Sequence, residues 1–294
     1  MNKSLLFALT CALLIFAFNT QIATFPHEKT LDFCFENDFK KLSTVDSPYG
    51  IILGNSRSLS SLHAKSLSTF LKHPVLHLGY SSSNLETAAL TLDFALSTCD
   101  KIERVFIEVS PFHFDSRRVH AHGIRHYMLQ RKPALLITHG HSWRDWSNAF
   151  PNFSTLPGIK AFLLPKRQLS DYSKRWNCKS SAFQKNEKKW LEAFPDRKLC
   201  FERRQQSALS RIKSVCRKRN IELIVFYSPT DTSFQSFFKN YQEYKAIVAS
   251  IIGNSAQIVD TDNGKFQRFL QNPDHIACPE TFTQDIVIPL LSNR

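Results

Sequence analysis

The sequence predicts an α/β fold: a three-layer sandwich with a five-stranded parallel sheet, flavodoxin-like in layout, and a long helical insertion. Three observations predict it. Short apolar runs alternate with longer stretches of helical periodicity, the pattern of a parallel sheet covered on both faces. The runs break off in Gly, Ser, Asn and Pro, the residues of tight turns. The chain is also large and apolar enough (294 residues, 43% hydrophobic) to bury a sizeable core, which excludes a disordered polypeptide.

Tyr49 to Leu53 is an apolar run ending in Gly54 and reads as a buried strand feeding a tight turn. Arg57 to Leu71 carries Leu59, Leu62, Leu67 and Phe70 at helical spacing and predicts one helix. Val75 to Leu78 is the second strand, and Asn84 caps a helix running to Cys99. Arg104 to Val109 is the third, stopped by Ser110 and Pro111. Regularity then lapses over 112–202, too long for a simple connection, which predicts an inserted helical subdomain. Alternation resumes with a helix from Arg203 to Arg219 and a strand from Glu222 to Tyr227. A helix from Ser233 to Ile252, a fifth strand from Ala256 to Asp260 and a last helix from Pro279 to Leu291 complete the order.

Residues 1–25 read as an export segment preceding a domain over 26–294. Lys3 supplies the positive start, Leu5 to Phe18 is apolar and uncharged, and Ala23 is a small residue at a cleavage position. Ser4 to Phe25 is also 22 uncharged residues, the length a bilayer asks of an uncleaved anchor. Both readings place the domain outside the cytoplasm, in the periplasm or held at the membrane. The six later cysteines (Cys34, Cys99, Cys178, Cys200, Cys216, Cys278) permit up to three disulfides, with buried free thiols as the alternative.

The net charge of +13 is concentrated. Between Lys160 and Asn220 stand 18 Lys and Arg against 5 Asp and Glu, so this stretch carries the whole excess. A solvated helix face accounts for such a run, as does attraction to anionic lipid or an acidic glycan. No nucleic-acid recognition motif accompanies it, and nucleic acid is not an expected partner.

In an open parallel sheet, ligands gather beyond the carboxyl ends of the strands. Four strands end there in polar groups: Asn55-Ser56, Gly79-Tyr80-Ser81, Ser110-Pro111 and Ser228-Pro229; the fifth leads through Asp260 towards His275. A serine directly after the first strand has an exposed hydroxyl, but it needs a base to become a nucleophile. His275 is the histidine that topology places to serve.

These residues carry a family resemblance. Gly54-Asn55-Ser56-Arg57 resembles the G-x-S-[RE] nucleophile turn of the SGNH/GDSL hydrolase superfamily, and is closest to its membrane-anchored branch of D-alanyl-transfer and alginate-type O-acetyltransferase proteins. Leu78-Gly79-Tyr80-Ser81 resembles the second block, Val109-Ser110-Pro111-Phe112 the third strand end, and Asn272-Pro273-Asp274-His275-Ile276 the closing D-x-x-H-L block. The resemblance spans Tyr49 to Phe112 and Arg203 to Leu291. It implies a Ser56 acyl-enzyme, His275 as general base and then acid, and the amides of Ser56 and Gly79 at the oxyanion. Asn55, Arg57 and Ser110 join as oxyanion or substrate-binding candidates. It implies no cofactor or metal, an acylated polysaccharide or small ester as substrate, and a membrane-bound O-acyltransferase as partner.

One position departs from the pattern. Asn272 stands where the acid of D-x-x-H belongs, and an amide cannot stabilise an imidazolium as a carboxylate does. Asp274, Asp260 and Asp262 are the nearby carboxylates. Three arrangements stay open: a substitute acid, a slow Ser-His dyad, or a silent site kept for binding glycan or envelope. A lipase-like esterase with a Phe-rich acyl-binding surface is a further variant.

Two other signals fall in the insertion. His113, His120, His122, His126, His139 and His141 cluster there but match no metalloenzyme spacing, so they are expected as surface or lid histidines. Trp143, Trp146, Trp176 and Trp190 suit either a small core of the insertion or a glycan-stacking groove.

Overall fold

The five strands are β1 (Tyr49–Leu53), β2 (Val75–His77), β3 (Ile102–Glu108), β4 (Glu222–Tyr227) and β5 (Gln257–Asp260). All pair in parallel, in the order β2-β1-β3-β4-β5. The helices are α1 (Ser56–Ser61), α2 (Ala64–Leu71), α3 (Leu85–Thr98), α4 (Arg203–Lys218), α5 (Thr232–Phe237), α6 (Glu243–Ile252), α7 (Pro279–Phe282) and α8 (Ile288–Ser292). This computed structural model describes residues 41–42, 44, 49–79, 83–114, 192, 194–272 (the side chain of Asn272 excepted) and 274–292. The export segment, Cys34, Cys178, the four tryptophans and every insertion histidine except His113 lie outside the described residues.

Strand direction and side-chain alternation explain the layers. The register sets Ile52 beside Phe106, Phe106 beside Ile224, and Phe226 beside Val259, so these side chains share one face. That face forms a core with Leu62, Leu67, Ile276, Phe282 and Val287, from α1–α2 and the C-terminal segment. Ile51, Val105, Ile107 and Val225 alternate to the other face and are fully buried. There α3 packs against β1 and α4, and α4 against β4 and α6. The result is the expected three-layer α/β sandwich. All described residues belong to one compact unit, 37–121 with 170–294.

Three elements differ from the sequence reading. The helix expected from Arg57 to Leu71 breaks at Leu62 and His63, which are extended. Thr283 Oγ1 accepts the His63 amide at 2.8 Å and donates to the Ser61 carbonyl at 3.2 Å, replacing bonds that a continuous helix would make. The expected helix from Ser233 to Ile252 is likewise two helices. Phe238 and Tyr241 turn inward between them, and Asn240 exchanges two 2.9 Å hydrogen bonds with the Leu199 backbone. Finally, His275 lies on a strand that the sequence reading did not include. It sits on β7 (His275–Ile276), which pairs antiparallel with β6 (Leu270–Asn272) in a small hairpin.

The three-disulfide framework does not form. Cys99 and Cys216 are buried and free, so the six cysteines do not make three bridges, while Cys200 and Cys278 are exposed. Among the described residues no helix is long and apolar enough to cross a membrane.

Candidate active site

The site is built on the reversal of strand order between β1 and its neighbours, where the carboxyl edge opens. The turn after β1 is unusually constrained. Gly54 adopts φ +140°, and a Cβ there would lie 2.9 Å from Ser58 Cβ and 3.0 Å from Glu108 Cβ, so only glycine fits. Asn55 then caps α1, its Oδ1 accepting the Arg57 amide at 2.8 Å, while Ser58 Oγ donates to the Asn55 carbonyl at 2.7 Å. Ser56 follows as the first helical residue and is half-buried.

The hairpin delivers the base. His275 Nε2 lies 2.9 Å from Ser56 Oγ, and His275 Nδ1 lies 2.8 Å from Asp274 Oδ1. With Nδ1–H donating to the carboxylate, Nε2 carries the lone pair that accepts from the serine hydroxyl. Ser56, His275 and Asp274 therefore stand in one continuous hydrogen-bonded row.

The other carboxylates are engaged elsewhere. Asp260 accepts from Lys245 Nζ at 2.9 and 3.0 Å. Asp262 is buried and accepts from Tyr244 at 2.8 Å, Tyr241 at 3.1 Å and Gln235 at 2.9 Å.

Gly79 closes the turn from the β2 side. A Cβ on it would lie 2.6 Å from Ser58 Oγ and 2.9 Å from the Gly54 carbonyl, so the β2 strand end lies directly against the nucleophile turn. Three of the substrate-binding candidates are placed differently from expectation. Arg57 is 2% exposed; its Nη2 donates to the Ser228 carbonyl and Thr230 Oγ1, both at 2.6 Å. Ser110 is fully buried, with its amide at 3.0 Å and hydroxyl at 3.1 Å from His113 Nδ1. Asn55 spends its side-chain oxygen on the helix cap. Arg57 ties the nucleophile turn to the end of β4, Ser110 closes a local turn on His113, and the Asn55 oxygen caps α1.

Sequence reading missed the acid beneath the turn. Glu108, the last residue of β3, is fully buried, with Oε1 at 3.7 Å from Arg57 Nε and Oε2 at 3.6 Å from His113 Nδ1. Its carboxyl pKa is pushed up to about 7: burial raises it, and Arg57, the Asn55 amide and His275 only partly offset that. Burial, then Arg57, lowers His113 to about 3, so this ring is neutral. For Arg57, burial disfavours the charge, but Tyr241, Glu108, Asp262 and Asp274 outweigh it, and its pKa stands above the ordinary value. The available signal was a carboxylate inside the apolar run Val-Phe-Ile-Glu-Val.

No family model matches the chain, and no curated protein does. Among solved structures, it is similar to a protein described as lipolytic and of the G-D-S-L family from Desulfitobacterium hafniense. The identity is 11%, the TM-score 0.41, and the match covers 83% of this chain and 99% of that one. It is also similar to an acetylxylan esterase from Geobacillus stearothermophilus, at 8% identity and TM-score 0.41, over 85% of this chain and 97% of that one. A second variant of that esterase gives 9% identity and TM-score 0.39, over 84% and 94%. Function is read below from this chain's own residues.

Proposed function

We propose that this chain is an SGNH-type serine esterase or O-acyltransferase acting through a Ser56 acyl-enzyme. The observation that carries the reading is the row Ser56 Oγ, His275 Nε2 at 2.9 Å, and His275 Nδ1 to Asp274 Oδ1 at 2.8 Å. Ser56 Oγ attacks the ester carbonyl, forming an O–C bond as its proton passes to His275 Nε2. The imidazolium, steadied by Asp274, returns that proton to the departing alkoxide as the tetrahedral adduct collapses. Water or an acceptor hydroxyl then attacks the acyl-enzyme, with His275 as base again. The backbone amides of Ser56 and Gly79 are the donors assigned to the oxyanion.

The finer reading is that the enzyme is exported or anchored by its N-terminal segment and acts on O-acyl groups of a cell-envelope polysaccharide. Its support is the N-terminal apolar run, the basic stretch from Lys160 to Asn220, and the membrane-anchored branch that the four motif blocks resemble. On that reading a membrane-bound O-acyltransferase is the partner, and the acyl group is handed to a sugar hydroxyl rather than to water.

The test is p-nitrophenyl acetate turnover by wild type and Ser56→Ala. A burst of p-nitrophenol and a serine-linked acetyl group, both lost in Ser56→Ala, is expected. Equal turnover in the two proteins would instead favour a silent, glycan-binding module. Adding an O-deacetylated glycan and following acetate by mass spectrometry separates transfer from hydrolysis.

A further inference from the structure

Beneath the Ser56 turn lies a buried charged cluster that the acyl-transfer chemistry does not use. Arg57, Glu108 and His113 are each 2% exposed or less. Among the described residues, Arg57 Nε and Nη1, both Glu108 carboxyl oxygens and His113 Nε2 lack a hydrogen-bond partner. Burying five such atoms is costly, and a core of apolar residues would avoid the cost. An arrangement that expensive, directly under a nucleophile, needs a reason in the site above it.

The geometry supplies one. Arg57 is the residue after Ser56, and its guanidinium reaches across to the end of β4, at Ser228 and Thr230. Thr230 in turn accepts from Tyr241, which lies 3.1 Å from the buried Asp262. On the other side Glu108 Oε1 stands 3.7 Å from Arg57 Nε, and Glu108 Cβ packs where a Gly54 side chain would be. The end of β3 thus buttresses both residues flanking the Asn55-Ser56 turn. Glu108 is also close enough to the hairpin to feel His275 and Asp274.

We propose that Glu108 is a positioning residue for the Ser56–His275 pair: its carboxylate, set against the Gly54-Asn55 turn and the Arg57 guanidinium, holds the nucleophile in register with the hairpin that carries His275. This rests on the esterase reading for its kinetic consequences, but not for its geometric one. Without the carboxylate, Arg57 loses its nearest counter-charge and shifts towards β4, drawing the covalently attached Ser56 with it. Displacements of this kind cost catalysis without removing any reacting group.

A pH signature follows. The groups facing Glu108 are Arg57 from α1, the Asn55 amide from the turn, His113 from the turn after β3, and His275 and Asp274 from the hairpin. His113 stays neutral over the working range. Loss of the Glu108 proton, whose pKa is pushed up to about 7, then adds its own step to the rise of kcat/KM with pH.

The experiment compares wild type, Glu108→Gln, Glu108→Asp and Ser56→Ala. Glu108→Gln keeps the shape and removes the charge; kcat for p-nitrophenyl acetate is expected to fall about 10- to 100-fold with KM within about twofold. The step that Glu108 adds to the log kcat/KM profile near pH 7 is expected to disappear in this variant. Glu108→Asp restores charge and recovers part of kcat. Crystal structures of Glu108→Gln and wild type supply a readout independent of turnover: the Ser56 Oγ to His275 Nε2 separation lengthens beyond hydrogen-bond reach in the variant. An unchanged separation, or an unchanged kcat and pH profile where wild type outpaces Ser56→Ala, overturns the proposal. Equal turnover in wild type and Ser56→Ala sinks the esterase reading alone, and the structural comparison still decides the role of Glu108.

Discussion

Asp274 holds the ring of the residue that follows it: its Oδ1 lies 2.8 Å from His275 Nδ1. Neighbours in sequence rarely meet this way on a regular strand, where successive side chains point to opposite faces. Here Asp274 is in the turn of the β6–β7 hairpin, and only His275 belongs to the strand. The turn bends the carboxylate back over the imidazole. An acid three positions earlier, where Asn272 stands, is therefore not the only solution for orienting this histidine.

Replacing Asp274 by Asn should lower kcat for p-nitrophenyl acetate by about a hundredfold, with KM little changed. The loss is expected to be smaller than the roughly 10⁴ of a deeply buried triad, because the Asp274 side chain is 24% exposed and water can partly replace it. Wild-type kcat in this variant would mean that another group orients His275.

Gly79→Ala tests the contact between β2 and the nucleophile turn. A methyl group placed 2.6 Å from Ser58 Oγ and 2.9 Å from the Gly54 carbonyl forces the β2 strand end away from the nucleophile turn. The expected cost is about 1–3 kcal/mol of unfolding free energy, read by urea denaturation. Turnover should fall by more than that loss of folded protein explains. Equal urea midpoints for the variant and wild type would show that the turn has room to give.

The strands and their parallel pairing were legible because each strand rests on a strong local signal. Apolar runs of strand length end in turn residues, and Gly54-Asn55-Ser56 sits directly after the first. The boundaries that failed were decided at long range. The break at Leu62 depends on Thr283, over two hundred residues away, and the break after Phe237 depends on Asn240 meeting Leu199. Arg57 was misread for the same reason: a basic residue beside a nucleophile looks substrate-facing until β4 is seen to bind it. Glu108 was legible as an oddity in an apolar strand, but its partner was not.

The cysteines give a prediction about chemistry outside the site. Cys200 and Cys278 are exposed, whereas Cys99 and Cys216 are in the core, and burial pushes the Cys216 thiol up to about 12. Brief alkylation of the native protein followed by peptide mapping should leave Cys99 and Cys216 unmodified until denaturant is added. Labelling of Cys216 in the native state would contradict its place on the inner face of α4.

The buried Glu108 and His113 make opposing contributions to stability against pH. Glu108 rises from an ordinary 4.5 to about 7 on folding, so between those values the native state holds a proton that the unfolded state has lost. Stability from this group is full below about 4.5 and falls as pH rises towards 7. His113 drops from 6.5 to about 3, so across that window the unfolded state binds the extra proton, and stability falls as pH is lowered. Each contributes a slope of up to about 1.4 kcal/mol per pH unit where its protonation differs fully, and between 4.5 and 6.5 the two slopes largely cancel. Glu108→Gln removes the falling slope and leaves the rising one. The unfolding free energy of wild type minus that of Glu108→Gln, from urea titrations at a series of pH values, should therefore decrease from about pH 4.5 to about pH 7. A flat difference across that window would show that the Glu108 carboxyl titrates alike in the folded and unfolded chain. It would also remove the reason to expect a Glu108 step in the pH profile of kcat/KM.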